Sequence, residues 1–244
     1  MPRFFANAND ISDGSITLRD GDAFHIARSL RMAVGDALTV CDCEGKEYSV
    51  RLTRIRDEEC ECEILSVNES STEPDTEITL YVAYPKADKL ETVIQKAVEL
   101  GAARIVPFES SRCIKRPKAE KIEKLMARLS RIAEEAAKQC GRAKLPTVSA
   151  PISYGAAIKD AAKKDLPLFC YEGECPMTIK DALKKATRPK TVSVVVGAEG
   201  GFSPDEADEA TKAGLLSVTL GPRILRCETA PLYALASLSY ELEL

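Results

Sequence analysis

A single histidine, His25, stands in 244 residues, too little imidazole to build a metal cluster. Long apolar runs are missing as well: Thr191 to Gly197 is the most apolar strand-like stretch, far short of the roughly 20 residues that span a membrane. The start Met1-Pro-Arg-Phe-Phe lacks the apolar segment of a secretion signal, so the chain is expected to stay in the cytoplasm with no membrane partner. Neither G-x-G-x-x-G nor G-x-x-x-x-G-K-S/T occurs, and no acidic residue sits at a second strand end about 20 residues after the glycines that do occur. That argues against dinucleotide and phosphate-loop chemistry. Positive charge is not in excess: 34 Lys and Arg against 38 Asp and Glu give a net charge of −4, which speaks against an indiscriminately basic nucleic-acid binder and leaves local patches.

Two such patches are present. Arg28, Arg31, Lys46, Arg51, Arg54 and Arg56 form one; Lys115, Arg116, Lys118, Lys121 and Lys124, leading to Arg128 and Arg131, form the other, diluted by Glu120, Glu123, Glu134 and Glu135. Nine cysteines, an odd number, fit reduced thiols better than a disulfide framework. Cys41-x-Cys43 and Cys60-x-Cys62 would offer four sulfurs to zinc if their strands were neighbours. Residues i and i+2 of a strand share a face, however, so the same spacing also lays small apolar side chains on a core, and structural zinc sites usually use C-x-x-C. No metal is expected.

Residues 1 to about 70 read as short strands with one helix. Tyr48, Val50 and Leu52 alternate with polar neighbours, as do Cys60, Cys62 and Ile64, which predicts a small β-barrel. The helix is expected over Asp22 to Met32, with Phe24, Ile26, Ala27, Leu30 and Ala33 inward and Arg28 and Arg31 outward. Ser66 to Glu77, almost without apolar residues, reads as the linker. From Ile78 strand-like and helix-like segments alternate: Ile78 to Tyr84, Lys86 to Leu100, Arg104 to Phe108, Ala119 to Cys140, Leu166 to Cys170, Val192 to Val196 and Ser217 to Leu220. Such alternation predicts an α/β fold, a mostly parallel sheet covered by helices. The final helix, from Glu228, carries Leu232, Leu235, Ala236 and Tyr240 near one face.

Ligands of open α/β sheets bind beyond the carboxyl ends of strands, and three such ends carry unusual residues: Cys170 to Gly173, Gly197 to Gly201 and Leu220 to Arg226. Glycines between a strand end and a helix start leave backbone N–H groups open to an anionic ligand. After the first glycine loop, Ser203-Pro204-Asp205-Glu206 has the grammar of a helix start: Ser203 as N-cap, Pro204 in the first helical position and Glu206 closing a capping box.

The run Val196-Gly-Ala-Glu-Gly-Gly-Phe-Ser-Pro-Asp-Glu, followed by Leu220-Gly-Pro-Arg-Ile-Leu-Arg-Cys-Glu-Thr-Ala, closely resembles the signature of the RsmE-type ribosomal RNA methyltransferases of the SPOUT superfamily. Similar segments run along nearly the whole chain: Met1-Pro-Arg-Phe-Phe, His25-Ile-Ala-Arg-Ser-Leu-Arg with Gly35-Asp36, Lys86-Ala-Asp-Lys-Leu-Glu, Lys96-Ala-Val-Glu-Leu-Gly, Ser111-Arg-Cys and Gln139-Cys-Gly-Arg. Ala198, Ala87 and Cys227 depart from the family's usual Pro, Gly and Thr, each a small-for-small exchange.

The resemblance implies a PUA-like β-barrel RNA-binding domain over residues 1–70, a linker over 71–77 and a SPOUT domain with a trefoil knot over 78–244. It also implies a homodimer with a shared substrate site. The implied reaction moves a methyl group from S-adenosylmethionine to N3 of a uridine in 16S rRNA of the small ribosomal subunit, uridine 1498 in the family. Tyr171, Glu172, Val196, Gly197, Gly200, Gly201, Leu220, Gly221, Ile224, Leu225, Arg226, Thr229 and Ala230 then hold the cofactor, largely through backbone groups, with Ile224 and Leu225 as apolar walls. Arg226 is the first choice to face the reacting base and Arg112 the second. Glu199 and Glu228 either receive the proton or orient an arginine or a loop amide. Arg3, His25, Arg28 and Arg31 are expected to hold rRNA, and Lys86, Lys89 and Arg142 to flank the pocket. Two other classes fit less well. A noncatalytic rRNA-binding assembly protein needs no donor pocket, and an enzyme with another nucleotide cofactor would bind that cofactor instead.

Overall fold

The computed structural model describes residues 1–86, 89–114, 116–117, 119–173 and 177–244. Ala87, Lys115 and Lys118, singled out above, lie outside the described residues. The chain divides into two units, residues 1–73 with 137–145, and residues 74–136 with 146–244.

The first unit contains β1 (Arg3–Phe5), β2 (Ile11–Ser12), β3 (Ser15–Arg19), α1 (Asp20–Phe24), β4 (Ala37–Cys41), β5 (Lys46–Ile55) and β6 (Glu59–Glu69). Six strands in the order β1-β4-β5-β6-β3-β2 make one barrel-like curled sheet among the described residues. Only the β1–β4 pair is parallel. Period-two patterning builds the interior: Ile16 and Leu18, Leu38 and Val40, Val50 and Leu52, Cys60 and Cys62 all point inward. Register shifts between β5 and β6 at Ser49/Val50 and Leu52/Arg54 add the local twist that a curled sheet needs.

Two features differ from the sequence reading, and a third bears on its cysteine pairs. Because β5 lies between β4 and β6, the two cysteine pairs are not on neighbouring strands. Burial pushes the Cys62 thiol up to about 12, which disfavours a metal-binding thiolate, and among the described residues no group of three potential ligands could hold a metal ion. Residues Ser66 to Glu69 are strand, not linker, because β6 stays paired with β5 as far as Lys46↔Glu69. The helix is short and ends in a π-turn over His25–Ser29, where the Leu30 amide donates to the His25 carbonyl at 2.9 Å, five residues back. That wider turn carries Leu30 away from the core. Ile26 is buried as expected and Ala23 is buried as well, whereas Phe24, Leu30 and Ala33 are exposed.

The second unit contains β7 (Glu77–Ala83), α2 (Lys89–Glu99), β8 (Ala102–Glu109), α3 (Ile122–Cys140), β9 (Thr147–Val148), β10 (Ile152–Ser153), α4 (Tyr154–Ala161), β11 (Leu166–Cys170), α5 (Ile179–Ala186), β12 (Thr191–Val196), α6 (Pro204–Lys212), β13 (Leu216–Val218) and α7 (Thr229–Glu243). The last four residues of α3 are counted with the first unit. Among the described residues seven strands form one sheet, ordered β10-β8-β7-β12-β11-β13 with β9 also on β8, and every pairing is parallel.

Parallel strands are usually covered on both faces, which is why β7 and β12 are apolar almost throughout. The face carrying Tyr81 and Ser193 meets α4, through Tyr81 Oη donating to Asp160 at 2.7 Å and Ser193 Oγ to the Ala161 carbonyl at 2.9 Å. Leu80, Val82 and Val194 point the other way and are equally buried. Leu90, Val93, Ile94, Ala97 and Val98 form the buried stripe of α2, as their spacing predicts. The helix stops at Gly101, whose φ of +85° suits glycine and whose missing side chain leaves room for Pro74. In α7 the inward face is Ala230, Pro231, Ala234, Leu235 and Leu238, so Ala236 and Tyr240, expected beside Leu235, lie outside.

Candidate functional site

Strands β12, β11 and β13 are consecutive and parallel, so their carboxyl ends lie side by side, and the loops that leave them meet in one cleft of about 740 Å3 counting its open mouth. The first loop contributes Tyr171 and Glu172, the second Val196 to Ala198 with Gly201 and Phe202, and the third Thr219 to Leu225; Cys227 and Ala230 close it at the start of α7. Val196, Leu220, Leu225 and Phe202 give apolar wall, and the loop backbones give polar groups. Such a lining suits a flat heterocycle joined to a charged tail.

Close backbone packing explains the glycines. A Cβ on Gly197 would stand 3.1 Å from the backbone of Gly201, and Gly201 itself has φ +60° with the Glu172 carboxylate against it. The Gly201 amide donates to the Ala198 carbonyl at 2.9 Å, closing the turn, and the Ala230 amide donates to Arg226 at 2.9 Å. Those two N–H groups therefore have partners within the chain. Gly221, at φ +103°, closes a turn whose amide is accepted by Thr219 Oγ1 at 3.2 Å.

Arg112, from the turn after β8, lies along this loop: a Cβ on Gly200 would be 3.1 Å from the Arg112 stem, and Arg112 Nη1 donates to the Gly200 carbonyl at 2.8 Å. Glu206 secures the same neighbourhood. Its capping box with Ser203 is formed, one carboxylate oxygen accepting from the Ser203 amide at 2.9 Å, while the other accepts from the Ser111 amide at 2.8 Å. Behind the cleft Phe202 packs on Phe169 with ring centroids 4.4 Å apart.

A compact charge cluster sits beside the loops. Lys89 Nζ lies 3.3 Å from Glu199 and 3.1 Å from Glu228, and 3.6 Å from the Cys227 sulfur. Glu199 also accepts from the Lys86 amide at 3.1 Å, and Cys227 donates to Glu228 at 3.2 Å. Burial alone would raise the Glu199 carboxyl, but its own amide, the Lys86 amide and the Lys89 ammonium outweigh this and hold it below the usual range. Its own amide does the same for Glu228, helped by Cys227 and Lys89. The Glu228 carboxylate in turn raises Lys89, and burial pushes Cys227 up to about 12.

Ten of the thirteen residues chosen for the cofactor from sequence line this cleft; Gly200, Arg226 and Thr229 do not. The Arg226 side chain is exposed and has no hydrogen-bond or ion-pair partner among the described residues. Its carbonyl receives the Thr229 amide at 2.8 Å. Sequence reasoning did not assign Cys170, Ala198, Phe202, Thr219, Pro222, Arg223 or Cys227 to the cofactor, although each adjoins a chosen residue.

The cations chosen for RNA separate into two groups. Arg142 is 5% exposed and clasped by Glu73 at 2.8 Å, and Arg3 donates to Glu47 and to the Cys41 sulfur. Arg142 is buried and Arg3 half-buried, and each guanidinium is engaged by a carboxylate of the first unit. Phe4 is likewise core, 2% exposed. His25, Arg28 and Arg31 are exposed, with Arg28 held by Asp57, and Lys86 is exposed in the second unit.

Known proteins resemble this chain along most of its length. A family described as RNA methyltransferase domain matches residues 72–239, and one described as RNA methyltransferase PUA domain matches residues 18–65. Ribosomal RNA small subunit methyltransferase E of Bacillus subtilis is 33% identical over 91% of this chain and 89% of its own length. Its namesake in Aquifex aeolicus is 35% identical over 88% and 90%. The crystal structure of a Ribosomal RNA small subunit methyltransferase E from Neisseria gonorrhoeae bound to S-adenosyl methionine superposes with a TM-score of 0.87 at 33% identity, covering 99% of this chain and 98% of that one.

Proposed function

The chain belongs to the ribosomal RNA small subunit methyltransferase E family, S-adenosylmethionine-dependent enzymes acting on rRNA, and from that premise we propose that it methylates N3 of a uridine in 16S rRNA. The observation that carries the reading is the cleft itself, where three strand-end loops combine apolar wall with backbone polar groups beside Arg112, Arg223 and Arg226. S-adenosylmethionine, when bound, supplies a methyl group activated by a positively charged sulfur. The residues assigned to it are Tyr171, Glu172, Val196, Gly197, Gly200, Gly201, Leu220, Gly221, Ile224, Leu225, Arg226, Thr229 and Ala230.

Methylation at N3 requires loss of a weakly acidic imino proton, and negative charge then spreads to the uracil oxygens. Arg226, which has no carboxylate partner among the described residues, is suited to stabilise that charge, and Arg112, braced on Gly200, is the second choice. Glu199 and Glu228 are suited to orientation. Both carboxylates are held below the usual range and both are engaged by Lys89, which suits them to orientation more than to accepting the proton.

Substrate rRNA reaches the protein through His25, Arg28 and Arg31 on the first unit and Lys86 near the cleft. The exposed Tyr233 and Tyr240 of α7, flanking a groove that includes Leu220 and Gly221, support a homodimer with its substrate site shared between subunits. The family's trefoil knot belongs to the loops after β11, β12 and β13, in keeping with β12 lying between β7 and the earlier β11. An rRNA substrate accords with a cytoplasmic location.

The test is incubation with S-adenosylmethionine and small subunits from cells lacking the modification, followed by rRNA digestion and mass spectrometry. N3-methyluridine is the expected product, and its absence despite cofactor binding would overturn the target assignment. Arg226→Ala should abolish turnover without changing the melting temperature; unchanged turnover would remove Arg226 from the reaction.

A further inference from the structure

Lys89 breaks a local rule of helix design. It is the first residue of α2, where the helix dipole disfavours a cation, and it adds nothing to the buried stripe of that helix. Its compensation lies in other segments: Glu199 of the first glycine loop at 3.3 Å, Glu228 at the N-cap of α7 at 3.1 Å, and the Cys227 sulfur at 3.6 Å. Side chains that offend their own element and satisfy two others are expected at functional sites.

We infer that Lys89 is a positioning residue of the cofactor cleft, tying the first glycine loop to the start of the last helix and thereby fixing the separation of two segments that line it. Gly197, Ala198 and Gly201 lie within two residues of Glu199, and Cys227 and Ala230 within two of Glu228, so the ammonium holds both walls at once. Without it, two carboxylates held ionised by their surroundings would face each other across the junction and push the walls apart. This assigns Lys89 to the cofactor instead of to RNA, and it rests on the reading of the cleft as the S-adenosylmethionine site.

The experiment compares the full-length protein with Lys89→Met, Lys89→Arg and the double variant Lys89→Met/Glu228→Gln. Cofactor affinity is measured by calorimetry, and kcat and KM for S-adenosylmethionine on small subunits. Loss of two half-exposed ion pairs should weaken cofactor binding in Lys89→Met about tenfold, appearing in KM with kcat little changed. Lys89→Arg should bind as the parent does. The double variant should regain part of the loss, because removing one carboxylate relieves the repulsion, a recovery that mere damage to the fold would not give. Unchanged cofactor affinity in Lys89→Met, or a loss not recovered in the double variant, would overturn the inference. If the parent protein itself binds no S-adenosylmethionine, the cofactor reading fails, and this inference falls with it.

Discussion

Removing the Glu73 carboxylate should unfold the first unit more readily than any surface change. Arg142 and Glu73 have side chains only 6% and 11% exposed, and they meet through Nη2 to Oε2 at 2.8 Å and Nε to Oε2 at 3.2 Å. The other carboxylate oxygen accepts from the Ala143 and Lys144 amides at 2.9 and 3.0 Å. Glu73→Ala takes this carboxylate away from a buried guanidinium and leaves two amides without this acceptor. Breaking a buried pair in this way costs about 3–5 kcal/mol. With an m-value of roughly 2 kcal/mol/M, the urea midpoint for that transition should fall by about 2 M at pH 7. The acid dependence has a definite sign. Burial would raise the Glu73 carboxyl, but Arg142 and the two amides outweigh it and hold it below the usual range of a glutamate. Its contribution is therefore complete above that range and lost as the pH falls through the lower folded-state value, so parent and variant should converge in acid. A midpoint within about 0.3 M of the parent would refute the argument, as would Arg142→Lys weakening RNA binding at unchanged stability.

The glycine and capping contacts make further expectations. Gly197→Ala sets a Cβ 3.1 Å from the Gly201 backbone, which cannot swing away as a side chain can, so cofactor affinity should drop at least about tenfold by calorimetry. Glu206→Gln retains one acceptor where two amides need acceptors, from Ser111 at 2.8 Å and Ser203 at 2.9 Å. A loss of about 1–3 kcal/mol in denaturant unfolding is expected, with reduced methyl transfer through the neighbouring Arg112. With Cys62 and Cys227 pushed up to about 12, under about 0.1% of either thiol is ionised at pH 8. Iodoacetamide labelling followed by peptide mass spectrometry should leave both unmodified in native protein, and rapid modification of Cys227 would contradict its burial.

Local signals were legible in the sequence where their cause is local. Period-two strands, the α2 stripe and the Ser203 capping box each depend on residues within a few positions of one another, and each stands as read. The α1 segment was not, because its geometry changes within the helix. A π-turn follows no 3.6-residue period, and its i+5 bond from Leu30 to His25 turns Leu30 outward. The helices α4 and α5 are only eight residues each, too short for a periodic pattern to stand out.

Charge was the least legible property, for a reason rooted in composition. With 38 acidic residues against 34 basic ones, most cations can find a carboxylate after folding, and sequence distance hides which one. Arg3 meets Glu47 and Arg142 meets Glu73, pairs 44 and 69 positions apart, so cations that look free in the sequence are engaged by carboxylates within the fold. The glycine loops were legible because the strand ends that carry them can be found from sequence alone, whereas the role of a cation depends on what folding leaves opposite it. Among the cations chosen from sequence, Arg31, Lys86, Arg112 and Arg226 have no carboxylate partner for their side chains among the described residues. A group without a counter-charge pays the smallest desolvation and partner-exchange penalty on meeting a phosphate or a developing anion. These four are therefore the positions where neutral substitution should weaken RNA binding or turnover while leaving stability almost unchanged, the opposite of the outcome expected at Arg3 and Arg142.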